Sequence, residues 1–206
     1  MTFLSGCVMH ATDLQGEAAN IARTASSREL SRRSYDLGNR VRWFSEEVVT
    51  QTYISTQSPD ERMAVLDIVR WSGLGDGRFL PLLFYVVQFS ENPAERAAAA
   101  RLMADLKQPP SPFRKSSIIW VIGEGLARES SPGAANTLAY SLNTFLRQAC
   151  HYEIPDSEDV VGKAPMFGNI PIHVTNTEVM RSWWETTGRA MAAEGRFDEA
   201  PSSQPS

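Results

Sequence analysis

The chain has 206 residues, of which 42% are hydrophobic and 21% charged, and its formal net charge is −4. These values are ordinary for a folded soluble protein with a substantial core. The acidic balance argues against a general nucleic-acid binder, because binding to phosphate backbones relies on a large positive field. Two cysteines are too few for a disulfide framework, and no apolar run approaches the roughly 18 residues of a membrane-spanning helix.

The first residues, Leu4-Ser5-Gly6-Cys7, resemble a bacterial lipobox, in which a signal peptidase cuts before a cysteine that is then lipidated. A signal peptide needs a basic segment and an apolar region of about 7–15 residues before the cleavage site. Because six residues precede Cys7, the resemblance implies a start codon further upstream. It also implies an envelope lipoprotein, anchored at Cys7 and facing the periplasm or exterior. A free thiol in a cytoplasmic protein is the alternative.

Polar and small residues dominate the next stretch, so residues 1–27 are predicted to be a truncated lipobox and a tether, with a frayed helix as the alternative. A long amphipathic helix is then predicted over 28–55. Its apolar residues recur at spacings of seven, four, three and four, as on one helix face. They are Leu30, Leu37, Val41, Phe44 and Val48.

The first half of this predicted helix is basic and carries a tryptophan. Arg32, Arg33, Arg40 and Trp43 are therefore candidate residues for binding an acidic protein partner or anionic lipid headgroups. A solvated helix face is the alternative, since most runs of charge are only that.

A helical hairpin is predicted over Gly73–Leu106. Its first helix is the apolar run Phe79–Phe89. Asn92 is then available as an N-cap, and Pro93 occupies the first helical position, where its missing N–H costs nothing. The second helix contains Ala97–Ala100, and such small residues let a partner helix approach closely.

The hairpin resembles a HEAT repeat, particularly the short HEAT-like form also seen in phycobiliprotein lyases. The resemblance rests on Gly75-Asp76, on Pro93 in the turn and on Arg96 before the alanines. In that family, Gly-Asp ends one repeat, and the arginine after the turn braces neighbouring turns. The resemblance implies an all-α fold built as a short α-solenoid of HEAT-like helix pairs. It implies no reaction, because no residue matches the ligand-handling positions of the lyases.

The flanking sequence predicts further helices of the same kind. The start with a capping residue and a proline recurs at Ser58-Pro59 and Ser131-Pro132, and a degenerate second unit follows over 113–150. Residues 28–150 are therefore predicted to be one HEAT-like array. An irregular, non-helical loop over 151–177, a terminal capping helix over 178–197 and a disordered tail over 198–206 complete the chain.

Chemistry-bearing residues are sparse. Cys150, His151 and His173 are the alternative metal ligands, but adjacent residues of an intact helix point about 100° apart and cannot readily share a metal. No serine or cysteine lies in a recognisable catalytic signature. The sequence predicts neither a catalytic residue nor a cofactor.

The sequence therefore favours a non-catalytic scaffold or adaptor that binds a protein partner and not nucleic acid, and that is held at the membrane through Cys7. Two alternatives stay open. One is an enzyme or a ligand- or metal-binding protein with a site at the 151–177 loop, and the other is a structural subunit of an envelope assembly. The sequence does not indicate an oligomeric state.

Overall fold

The computed structural model describes residues 11–23, 35–36, 46–72, 77–106, 109, 112–164 and 170–198. Contacts divide the chain into two compact units, residues 1–74 and residues 75–206. The division falls inside the 28–150 stretch that the sequence predicts as one array. The fold is all-α, as predicted, with one short β-hairpin among the described residues.

The described part of the first unit includes the helices α1 (Ala11–Ala22), α2 (Glu46–Ser55) and α3 (Pro59–Trp71). α1 packs against both α2 and α3 and buries Leu14, Ala18 and Ile21 completely or nearly so. Residues 11–22 are thus part of a core, where the sequence predicts a tether. The spacing of four and three between these small and apolar residues gives the helix one narrow buried stripe.

The second unit contains two consecutive helix pairs. The first pair is α4 (Leu80–Phe89) and α5 (Pro93–Ala104), and the second is α6 (Lys115–Arg128) and α7 (Pro132–Cys150). The helices pack within each pair, and the pairs also stack, with α4 on α6 and α5 on α7. Two layers of helices result, as expected when each helical hairpin buries its apolar face on the next one.

Local sequence signals explain how α5 begins and how closely it packs. The side chain of Asn92 accepts a hydrogen bond from the Ala94 N–H at 2.9 Å, and Pro93 is the first helical residue. Ala99 and Ala100 are fully buried. The predicted cap and the predicted close approach of a partner helix are both confirmed.

The described residues between 152 and 176 contain a β-hairpin where the sequence predicts an irregular loop, and the closing helix already begins at Thr177. β1 (Glu158–Ala164) pairs antiparallel with β2 (Ile170–Thr175), with an irregularity in register between Val160 and Gly162. β2 also packs against α7. The β-branched residues of β2 favour a pleated strand, whereas β1 contains a glycine and two acidic residues that gave no clear strand signal.

A closing helix follows the hairpin and covers the second helix pair. It runs as α8 (Thr177–Trp183), a π-helical turn (Trp184–Gly188) and α9 (Arg189–Ala193), and it packs against α6 and α7. The part of the chain that the structure describes contains no bilayer-spanning helix.

Candidate protein-interaction surface

What we call the aromatic surface comprises two groups of aromatic side chains in the second unit: Tyr85 with Phe89, and Phe84 with Phe113 and Trp120. Phe89 is 65% exposed, Tyr85 44% and Trp120 36%. The rings of Tyr85 and Phe89 lie 5.4 Å apart, and those of Phe84 and Phe113 lie 6.0 Å apart in a T-shaped contact. Aromatic side chains that stay exposed next to each other are typical of the centre of a protein interface.

A cleft of about 500 Å³ adjoins Phe84 and Trp120 of this surface, between α4, α6 and the turn after α9. Phe84 and Trp120 line its apolar part, and Ser116 and Asp198 line its polar part. The Ser116 N–H donates to Asp198 Oδ1 at 3.0 Å, so that a carboxylate satisfies an otherwise unpaired donor at the start of α6. The cleft is therefore preformed and joins aromatic walls to a charged rim.

The closing helix packs against Trp120 through Trp184. Trp184 is fully buried, and its ring contacts that of Trp120 with centroids 5.9 Å apart. A Cβ at Gly123 would lie 2.4 Å from the Trp184 ring, so this site requires glycine. The Trp184 indole N–H donates to Glu124 Oε1 at 3.2 Å, and Arg189 pairs with the same oxygen at 2.6 Å.

A buried ion pair ties the two helix pairs together at their turns. Arg96 in α5 contacts Glu129, which follows α6, with Nη2 2.7 Å from Oε2, and the Glu129 side chain is fully buried. Arg96 also donates to the Ser90 carbonyl at 2.7 Å, while Glu129 Oε1 accepts from the Ser131 N–H at 2.8 Å. Arg96 thereby connects its own turn to the turn that follows α6.

The closing helix joins the same network. Arg181 in α8 donates to the Glu129 carbonyl at 2.8 Å and to the Leu126 carbonyl at 3.3 Å. Both carbonyls lie at the C-terminal end of α6, where the Leu126 carbonyl also accepts from the Glu129 N–H at 3.3 Å, so Arg181 adds donors at a helix terminus. Two arginines thus link the α4–α5 turn, the α6–α7 turn and α8, which supports the layer that displays the aromatic surface.

Sequence reasoning missed a repeat that bears on this brace. Pro-x-Glu-Arg occurs at 59–62 and again at 93–96, 34 positions apart. In both copies the arginine donates to the carbonyl six positions earlier, Arg62 to Thr56 at 3.1 Å and Arg96 to Ser90 at 2.7 Å. The recurrence of the Pro-x-Glu-Arg motif was the sequence signal that could have revealed this repeat.

Some of the residues predicted as sites lie outside the part of the chain that the structure describes. The lipidation candidate Cys7 and the partner-binding candidates Arg32, Arg33, Arg40 and Trp43 all lie outside the described residues. The exposed aromatic residues of α4 were visible in the sequence, but not the face that they occupy.

The alternative metal ligands are not assembled into a site among the described residues. Cys150 ends α7, and His151 follows as an exposed left-handed cap with φ 52°. His173 lies in β2 in register with Val160. Burial raises the pKa of the Cys150 thiol to about 11, with Lys115 opposing and Asp198 reinforcing the shift, and a raised pKa disfavours the thiolate that metals bind. The described residues contain no group of three or more metal-ligating side chains.

No protein-family model, curated protein or solved structure matches the chain.

Proposed function

We propose that the protein is a non-catalytic scaffold that binds a protein partner on the aromatic surface, with its helix pairs as HEAT-like units. The observation that carries the proposal is the exposure of Phe89 and Tyr85 side by side, 65% and 44%, on a helix whose other face is buried. Aromatic residues in such a position supply most of the binding energy of many interfaces.

The rigidity of the supporting layer favours this reading. A surface that is fixed before binding loses less conformational entropy when the partner docks. The Arg96–Glu129 pair and the packing of Trp184 on Gly123 supply that rigidity.

The proposal includes an anchor in the bacterial cell envelope through lipidated Cys7, on the basis of the Leu4-Ser5-Gly6-Cys7 resemblance. Metabolic labelling with a palmitate analogue tests this part in cells that express the gene from its own upstream region. Label that disappears in Cys7→Ser supports the anchor, and label that is absent from the wild type contradicts it.

Capture from envelope extracts tests the binding claim. Purified wild type, the Tyr85→Ser/Phe89→Ser variant and the matched control Ile54→Ser, which changes a 52% exposed side chain in α2, are compared as baits. We expect one partner to be held by the wild type and the control and to lose at least about tenfold in affinity with the double variant, because each aromatic anchor contributes about 2 kcal/mol or more. A partner held equally by all three baits places binding elsewhere and contradicts the proposal.

A further inference from the structure

A polar cleft of about 460 Å³ lies along α7, away from the aromatic surface and sharing no residue with it. Tyr140, Asn143 and Arg147 of α7 line it, together with Glu153 and Glu158 from the chain that leads into β1. The cleft thus lies between α7 and the segment that connects α7 to β1.

One buried atom of this cleft is unsatisfied. Asn143 is only 2% exposed, and its Nδ2 donates to Glu158 Oε1 at 3.3 Å. A carboxylate oxygen can only accept, so this contact fixes the orientation of the amide and makes the other atom, Oδ1, an acceptor. Asn143 Oδ1 has no hydrogen-bond partner among the described residues. A buried acceptor without a partner costs about 1–3 kcal/mol, which a ligand donor would recover.

The charges around Asn143 define which donor fits. Arg147 pairs with Glu158, and the two side chains are 46% and 31% exposed. A pair this accessible to water contributes about 0–1 kcal/mol and is readily exchanged. Glu153 brings a second carboxylate, so the cleft carries more negative than positive charge. The half-exposed ring of Tyr140 adds a face on which a planar cation can stack.

We propose that this cleft binds a guanidinium group, which replaces Arg147 on Glu158 and donates to Asn143 Oδ1. A guanidinium is planar and carries five donors in a fixed fork, so it can serve a carboxylate and a neighbouring amide oxygen at once. Arg147 already shows that a guanidinium fits against Glu158. Because Asn143 Oδ1 is shielded from solvent, displacement of Arg147 is part of the binding step.

Calorimetric titration of the full chain tests the ligand chemistry. The probes are N-acetylarginine amide, a capped Gly-Gly-Arg-Gly-Gly peptide and the citrulline counterpart of each, which is neutral and nearly isosteric. We expect the arginine probes to bind about tenfold more tightly than the citrulline probes, from the loss of one charge-assisted hydrogen bond. Tighter binding of the peptide identifies a peptide as the source of the group, and equal binding identifies a free guanidinium compound. Equal binding of arginine and citrulline overturns the proposal.

Variants test the location. Glu153→Gln removes one exposed carboxylate and should weaken arginine binding about threefold, and Asn143→Ala should weaken it about tenfold. Glu185→Gln, an exposed carboxylate in the π-helical turn, is the matched control and should leave affinity unchanged. If circular dichroism shows that Asn143→Ala does not fold, the affinity of Glu153→Gln for the arginine probes decides whether the cleft is the binding site. Equal weakening by Glu153→Gln and Glu185→Gln indicates adsorption to surface charge and overturns the site.

Discussion

At the scale of single residues, the contact between Gly123 and Trp184 lets the closing helix pack closely against α6. Two consecutive tryptophans are both buried here, although neighbours on an α-helix point about 100° apart. The π-helical turn that starts at Trp184 widens the helix locally, and Gly188 leaves room for the Trp183 ring, which a Cβ would meet at 2.5 Å. π-turns are rare and have no reliable sequence signal, so this arrangement could not be predicted.

Gly123→Ala should destabilise the protein by about 1–3 kcal/mol through overpacking against the Trp184 ring. The same change in an open helix position stabilises by up to about 1 kcal/mol, so the sign of the effect reports the contact. Urea unfolding followed by tryptophan fluorescence measures it. Gly133→Ala is the control, because no heavy atom lies within 4 Å of its added Cβ. Equal stability of the two variants would rule out the clash.

Cys150 should react slowly with iodoacetamide in the folded protein, since burial raises its pKa to about 11. At pH 8.5 we expect its alkylation to be at least about tenfold slower than in urea, because each pKa unit changes the thiolate fraction about tenfold. Peptide mapping separates it from Cys7.

The folded-state pKa of Cys150 lies above the unfolded value, so the associated stability is fully present below about pH 9 and is lost as the pH rises through about 11. The alkylation rate should rise over the same window. A rate that levels off near pH 9 would contradict the raised pKa.

At the scale of elements, the Arg96–Glu129 pair links the two helix pairs through a fully buried carboxylate. Arg96→Ala would leave the Glu129 carboxylate buried without its cation, and we expect a loss of about 3 kcal/mol in the free energy of unfolding. Arg128→Ala, which removes an exposed arginine from the last turn of α6, should cost less than about 0.5 kcal/mol.

A double-mutant cycle separates the pair from its surroundings. Adding Glu129→Gln to Arg96→Ala should restore part of the lost stability, because the buried charge is then gone. Additive losses from the two substitutions would show that the residues do not interact.

Helix starts and the stacking of small residues were predictable, because they depend on neighbours in sequence. Asn92 and Pro93 set the start of α5, and the alanines allowed close packing. The hairpin was not predictable, because the glycine and the acidic residues of β1 give no strand signal without its partner β2. The aromatic surface was half predictable: Tyr85 and Phe89 sit four positions apart on one helix face, but which face is exposed depends on where α5 and α6 pack.

At the scale of the whole molecule, the division of contacts at residues 74 and 75 has a direct consequence. The fragment 75–206 should fold without the preceding residues, keep its helical circular dichroism and unfold cooperatively in urea. We expect its free energy of unfolding to lie within about 1 kcal/mol of the same transition in the full chain. A fragment that binds a hydrophobic dye and lacks a cooperative transition would show that the first unit is needed for folding.

Photo-crosslinking from position 89 tests the scaffold proposal most directly. Benzoylphenylalanine replaces Phe89 in one variant and Ile54 in the control, and both proteins are irradiated with the captured partner. We predict a covalent adduct with the partner from position 89 and little from position 54, because the aromatic surface is the contact. Equal adducts from both positions, or an adduct from position 54 alone, would contradict a partner site on the aromatic surface.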